Sequence, residues 1–372
     1  MRQTMRSVLR NRRIYNSIKR RTLSSTGIDP IVHVDHVDHV PPIIVSAEPQ
    51  KAVVGKGGIS AKIIADSHYH DRRITTFELE YMRFIHPEFM THRLLSKNSE
   101  SSRAVPVSSM IKSIQNNVAS PVHWGKNKRG MQAVEENDTM VSIPWSLSPT
   151  SHLDHTLQMG PEQAWRDACL SAISYANAFS DAGYHKQIVN RLLEPFKMMK
   201  IVCTATEFDN FFWLRRHADA QPEIKELADV MYRAREMSQP TFMPSNSYHL
   251  PYVTSDVKRQ CDMTDNPMSA ALKVSASCCA QVSYRKTDQS LSKAARIYQM
   301  LVESVPMHAS PFEHQARPAT PGDMHGFYDT GDSSPITHVS RDCSYWSGNL
   351  RWWVQYRHEI EDNTCWHYTD VE

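Results

Sequence analysis

The sequence lacks any net bias of charge: 42 Lys and Arg stand against 40 Asp and Glu in 372 residues. That balance gives no ground for a generally basic nucleic-acid binder, so an anionic partner must be met by a local basic cluster. Glycine is scarce beside proline, 12 residues against 21, which points to irregular but ordered loops. The seven cysteines (Cys169, Cys203, Cys261, Cys278, Cys279, Cys343 and Cys365) are odd in number and form no CxxC pair. This argues against a disulfide framework and a structural zinc site, and a reducing compartment is the plain expectation. No apolar run approaches the length of a bilayer span, so a soluble protein is expected. No repeat of roughly 20 to 50 residues recurs.

The amino terminus is basic where the rest is balanced. Its first 25 residues hold eight Lys or Arg and no acid before Asp29. The composition fits a transit peptide, which would direct the protein to mitochondria. It also fits a basic disordered arm on a cytoplasmic protein. His33 to Pro42 repeats His-Val-Asp, but no second ligand cluster of matching spacing follows, and a polar linker is the better reading.

Organised structure is expected from near residue 58. Ile74 to Ile85 alternates β-branched and aromatic residues and reads as a strand ended by Pro87. Thr91 to Ser109 reads as a hydroxyl-rich loop entering a helix near Ser108. Residues 162–181 suit a long amphipathic helix stopped by Gly183, and a second helix runs through Ile188 to Leu193 and halts at Pro195. Glu223 to Met237 and Leu291 to Val302 read as helices, with Pro- and Ser-rich loop from Ser238 to Pro251. Val274 to Tyr284 is a buried strand or helix that periodicity leaves open. Beyond Pro318 comes a Gly/Asp/Ser/Pro-rich stretch and then a Trp-rich tail, in which Trp352 and Trp353 are expected to pack. The fold class is α+β, organised as an arm over 1–60, a main domain over 61–320 and an extension over 321–372.

The densest chemistry lies in Thr91 to Arg103, where His92, Arg93 and Arg103 stand among several hydroxyls. Guanidinium forks match phosphate and carbonyl oxygens, and serine hydroxyls add hydrogen bonds to the same groups. A nucleotide or a flavin pyrophosphate would suit this set, and a solvated polar loop is the plain alternative.

The stretch resembles the signature R-H-R-x-x-S-x-N-E-x-S-x-R-Y of flavin-dependent thymidylate synthases. His92, Arg93, Ser96, Asn98, Ser101 and Arg103 fall at its offsets, while Thr91, Ser99 and Ala104 depart from it. Asn190 to Pro195 resembles the family's nucleotide-holding Arg before a Pro-ended helix. Asn210 to Arg215, followed by Ala220-Gln221-Pro222-Glu223-Ile224, resembles N-F-x-x-L-R followed by A-Q-x-E-I. The family's earlier flavin-contacting Asn and Arg fall here on Thr204 and Thr206. Pro311-Phe312-Glu313-His314, preceded by Ala280-Gln281-Val282-Ser283-Tyr284, resembles the family's opening A-R-V-S-F and P-F-E-H. Here these lie downstream of the signature, so residues 70–250 match the family's later part and 270–318 its beginning. A circular permutation joined through an exposed Ser238–Asp265 loop is the implied arrangement.

The resemblance implies C5 methylation of dUMP. Reduced FAD would supply hydride, methylenetetrahydrofolate the carbon, and NADPH would recharge the flavin. Arg215 would stabilise charge on the pyrimidine, and Ser101, Arg103 and Arg191 would hold the nucleotide. His92, Arg93 and Asn210 would face the flavin, with Ser310 at its edge. A homotetramer with sites between subunits is implied, with no metal, nucleic acid or membrane partner. The cysteine contexts do not resemble a thiolate-dependent synthase motif. Two rivals remain: flavin- and folate-dependent hydroxymethylation of dUMP or dCMP, and a non-catalytic nucleotide-binding descendant of the fold.

Overall fold

Alternating apolar side chains along Ser60–Tyr69 and Arg72–Met82 create the two long strands at the centre of the fold. The computed structural model describes residues 41–46, 50–130, 133–144, 156–283, 287–329 and 334–365. The basic arm and most of the His-Val-Asp stretch lie outside them. Strands pair in the order Val53–Val54, Ser60–Tyr69, Arg72–Met82, Met198–Ala205 and Ser96–Ser99, all antiparallel. Thr241–Phe242 adds to Ser60–Tyr69 in parallel. The architecture is α+β. Among the described residues no helix is long and apolar enough to cross a membrane.

Because side chains alternate along a strand, each face of the sheet has its own character. One face presents Ile63, Phe77, Leu79, Ile201 and Cys203, all buried. The Pro222–Met237 helix covers it with Ile224, Leu227 and Met231, and the Asp209–Arg215 helix adds Phe211 and Phe212. The opposite face carries Ile64 and Val202 against Cys279 and Val282. A polar row crosses that face. Ser67 Oγ meets His249 Nδ1 at 2.8 Å, His249 Nε2 meets Thr76 Oγ1 at 2.8 Å, Thr76 meets Thr204 at 2.7 Å, and Thr204 meets His314 Nδ1 at 2.9 Å. All five residues are buried, so each bond satisfies groups that water cannot reach.

Several expectations shift. Pro87 does not end the strand but opens a short His86–Met90 helix, a position where its missing N–H has no cost. Thr91 to Ser109 is not all loop: Ser96–Ser99 forms the edge strand and the helix begins at Val107. Val274 to Ala280 resolves as the end of the Pro267–Ala280 helix, followed by a 3-10 turn over Gln281–Ser283, and Tyr284 lies outside the described residues. Pro195 sits inside a 3-10 turn, Asn190–Phe196, rather than ending an α-helix. Gly183 follows the 161–181 helix with φ +84°, a backbone conformation glycine adopts without strain. The helices at 222–237 and 291–302 fall where periodicity puts them.

Ser238–Asp265 is not a simple exposed join. It contains the Ser255–Asp262 helix and buries Met243, His249, Leu250, Val253 and Cys261. Organised chain also precedes residue 58, since Val53–Val54 pairs with Ala61 and Ser60 and Ile43 is buried. At the far end, Trp353–Gln355 pairs with Ala316–Pro318, and a three-stranded sheet forms from His338–Val339, Tyr345–Ser347 and Leu350–Arg351. Trp353 is fully buried, and Trp352 packs beneath the Arg72 guanidinium at 4.0 Å. Both tryptophans are packing residues in this sense.

Candidate active site

The edge strand Ser96–Ser99 and its flanking loops carry the signature residues. Just before it, the His86–Met90 helix turns the chain so that His92 packs edge-on against Phe211, 4.9 Å between centroids. Arg215, at the end of the Asp209–Arg215 helix, donates from Nε to His92 Nε2 at 2.8 Å. Burial, reinforced by the charges of Arg215 and Lys97, lowers the His92 pKa to about 4. The imidazole is therefore neutral near pH 7 and can accept at Nε2. Among the described residues Arg215 makes no ion pair with Asp219 or Glu223. Glu223 instead accepts from the Val122 N–H at 2.7 Å and from Gln221.

Arg93, Asn210 and Ser310 are exposed. Arg93 adjoins His92, and Asn210 lies on the same helix as Arg215. Ser310 begins a turn, Ser310–Glu313, that lies against the edge strand. Gln355 Nε2 ties the two together, reaching Ser96 Oγ at 3.2 Å and the Glu313 carbonyl at 3.0 Å.

A second cluster gathers at the other end of the edge strand. Asn190 Nδ2 donates to the carbonyls of Ser102 (2.7 Å) and Val105 (2.9 Å), docking the Ser101–Val105 loop on the turn that carries Arg191. Ser102 Oγ donates to Glu194 Oε1 at 2.8 Å, and Arg191 pairs with the same carboxylate at 3.1 Å. The Ser101 N–H donates to Ser283 Oγ at 2.9 Å, and Arg103 is exposed. Beside Ser101, a cavity of about 360 Å³ is lined by Lys112, Lys197 and Lys200 with Glu80 and Glu100. Four strand residues separate the clusters, roughly 13 Å at strand rise. One chain thus gathers Arg215, His92, Arg93 and Asn210 at one end, and Ser101, Arg103 and Arg191 at the other.

Sequence reasoning missed several groups here. Lys97 is half-buried and donates to the His92 carbonyl at 2.6 Å, with its ammonium 5.4 Å from the Phe89 ring centre. Burial lowers its pKa against the opposing pull of Cys203 and Glu313. A lone lysine between Ser96 and Asn98 was the available signal, since strand alternation turns it to the opposite face. Glu88, whose pKa burial raises against the nearby Arg215 charge, was also missed, as was the whole contribution of the carboxy-terminal segment. Asn349 accepts from Ser96 Oγ at 2.9 Å, the Arg351 N–H donates to Thr206 Oγ1 at 3.0 Å, and Arg357 pairs with Glu313. These partners lie far apart in sequence, where no local pattern links them.

Buried polar atoms with no protein partner also occur in these elements: Glu88 Oε2, His314 Nε2 and Arg357 Nε. Glu88 Oε2 is an acceptor, whereas the exposed Arg93, Asn210 and Ser310 offer donors suited to a ligand bearing phosphate and carbonyl oxygens.

Residues 67–241, which contain both clusters apart from Ser310 and the carboxy-terminal contributions, match the family described as thymidylate synthase complementing protein. No curated protein matches the chain. Over that stretch, a little under half of the chain, the sequence is similar to the flavin-dependent thymidylate synthase family.

Proposed function

We propose that the protein transfers a one-carbon unit from methylenetetrahydrofolate to C5 of dUMP and delivers it as methyl, yielding dTMP, with FAD as resident cofactor and NADPH as reductant. The observation that carries this reading is the Arg215–His92 pair. Arg215 is anchored through Nε alone, so its terminal nitrogens have no protein partner among the described residues. A guanidinium held this way needs no reorganisation to meet negative charge developing on a pyrimidine. FAD, when bound, supplies the hydride chemistry. His92, Arg93, Asn210 and Ser310 are assigned to holding it, and Ser101, Arg103 and Arg191 to holding the nucleotide.

The split of these groups along the edge strand supports a site completed by a second copy, as in a homotetramer. Met90, Leu94, Trp213 and Leu214 surround the first cluster and are 45%, 42%, 75% and 42% exposed. Exposed apolar side chains grouped this way favour a protein interface. The bonds Asn98 Nδ2 to the Cys279 carbonyl (3.1 Å), Ser101 to Ser283 and Thr204 to His314 support treating 270–318 as the family's opening segment, carried downstream by permutation.

Titration of the purified protein with FAD tests the proposal. Saturable binding with flavin absorbance bands is expected, and a colourless protein that cannot be titrated would overturn it.

A further inference from the structure

The carboxy-terminal segment lies outside the stretch that matches the family, yet it reaches the edge strand and Thr206, just beyond the Met198–Ala205 strand. We infer that Asn349 and Arg351 form one wall of the cofactor site, presenting a carboxamide and a guanidinium to the hydrogen-bond-accepting edge of the flavin ring. The inference rests on the proposed FAD chemistry and adds to it residues from another part of the chain.

The strand itself has little to offer a ligand at this place. The Thr204 hydroxyl is engaged by Thr76 and by His314, and the Thr206 hydroxyl accepts from the Arg351 N–H. The tail supplies what these threonines do not. Asn349 Oδ1 accepts from Ser96 Oγ at 2.9 Å and from Gln355 Nε2 at 3.1 Å, which fixes the plane of the amide. Its Nδ2 group has no acceptor among the described residues, so two oriented N–H donors remain. Arg351 is steadied by Ser344 Oγ at Nε (2.9 Å) and by Asp342 at Nη2 (2.7 Å), while Nη1 stands 3.7 Å from Glu207. Glu207 leads into the helix bearing Asn210 and Arg215, and Ser96 follows the loop bearing His92 and Arg93. The two tail side chains therefore join both parts of the first cluster.

The backbone holds them there. Gly348 has φ +59°, and a Cβ in its place would meet Gln355 Oε1 at 2.6 Å and His358 Nε2 at 2.9 Å. Trp352 adopts φ +63°, a region that bulky residues seldom occupy, in the residue immediately after Arg351. Charge decides which part of the cofactor is met. Asp342 and Glu207 offset the guanidinium, which disfavours a phosphate and leaves hydrogen bonding to neutral carbonyl and ring-nitrogen acceptors.

The test is FAD titration of the full chain, wild type first, at a temperature well below every melting point. Three variants follow: Asn349→Ala, Arg351→Ala and Asp342→Asn. Binding by the wild type with about tenfold or greater weakening in Arg351→Ala and Asn349→Ala is expected. Asp342→Asn loses the ion pair but keeps the guanidinium and an acceptor for its Nη2, so it should weaken FAD binding much less than Arg351→Ala does. Equal weakening in Asp342→Asn and Arg351→Ala would show that the pair only supports the fold, and overturn the inference. Undiminished binding in both tail variants would also overturn it while leaving the flavin reading intact. A wild type that binds no FAD would remove both.

Discussion

Arg215 donates to a neutral His92, Nε to Nε2 at 2.8 Å, across 123 residues of chain. The Arg215 guanidinium is thus aimed by an uncharged acceptor rather than by a carboxylate partner. An ion-paired arginine would have had much of its charge offset by its carboxylate partner.

Arg215→Ala should therefore reduce single-turnover transfer to C5 by about 100- to 1000-fold while leaving FAD binding and melting temperature near wild type. His92→Ala should give a smaller loss, because the guanidinium remains but is no longer aimed. Unchanged single-turnover rates in a well-folded Arg215→Ala variant would remove this residue from the chemistry.

Arg191→Ala should act differently. Its pair with Glu194 is largely exposed on the arginine side, and such pairs contribute about 0–1 kcal/mol to stability. A raised KM for the nucleotide with kcat retained is expected if Arg191 contacts the ground state and the transition state alike. Loss of kcat at saturating nucleotide would place it in the chemical step instead.

The two clusters were legible to different degrees. The signature, N-F-x-x-L-R and P-F-E-H segments could be read because each is local, and the structure brings Arg215 to His92. Amphipathic periodicity also located the helices at 161–181, 222–237 and 291–302. The edge strand was missed because Ser96–Ser99 is polar and its pairing with Met198–Ala205 is set a hundred residues away. The Ser67–His249–Thr76–Thr204–His314 chain was invisible for the same reason. So was the tail, whose Gln355, Asn349 and Arg351 acquire meaning only where they meet Ser96 and Thr206.

Thr204→Val keeps the shape of the side chain but leaves Thr76 and His314 without their shared partner. Buried groups stranded in this way cost about 1–3 kcal/mol. Urea denaturation should show that loss at an unchanged m-value, and a change within error would mean that water substitutes for the hydroxyl.

Acid should destabilise the fold earlier than carboxylates alone would require. Burial lowers His86, His92 and His358 to about 4, and His249 and His314 to about 3. Unfolded, each takes a proton near about pH 6.5. The stability tied to their neutral forms is therefore present above that pH and is lost as pH falls toward 4 and 3, with protons taken up on unfolding. Melting temperature should fall between pH 6.5 and 5, where ordinary carboxylates are still ionised. A flat profile there contradicts the assignment.

No cysteine should be needed for turnover. All seven are free, and burial raises the thiol pKa of Cys203 and Cys278 to about 12 and of Cys261 to about 11. Such thiols are not nucleophiles at neutral pH. Each Cys→Ala variant that folds should retain activity; a folded, FAD-binding variant without any would point to a covalent route.

The central claim is tested most directly by the mass of the nucleotide product. The FAD-reconstituted protein is given NADPH, methylenetetrahydrofolate and either dUMP or dCMP, and the nucleotides are analysed by mass spectrometry. The account predicts conversion of dUMP to dTMP, with a methyl group replacing the C5 hydrogen, and no change in dCMP. A hydroxymethylated product, conversion of dCMP in place of dUMP, or unaltered nucleotide from a protein with flavin bound would contradict it.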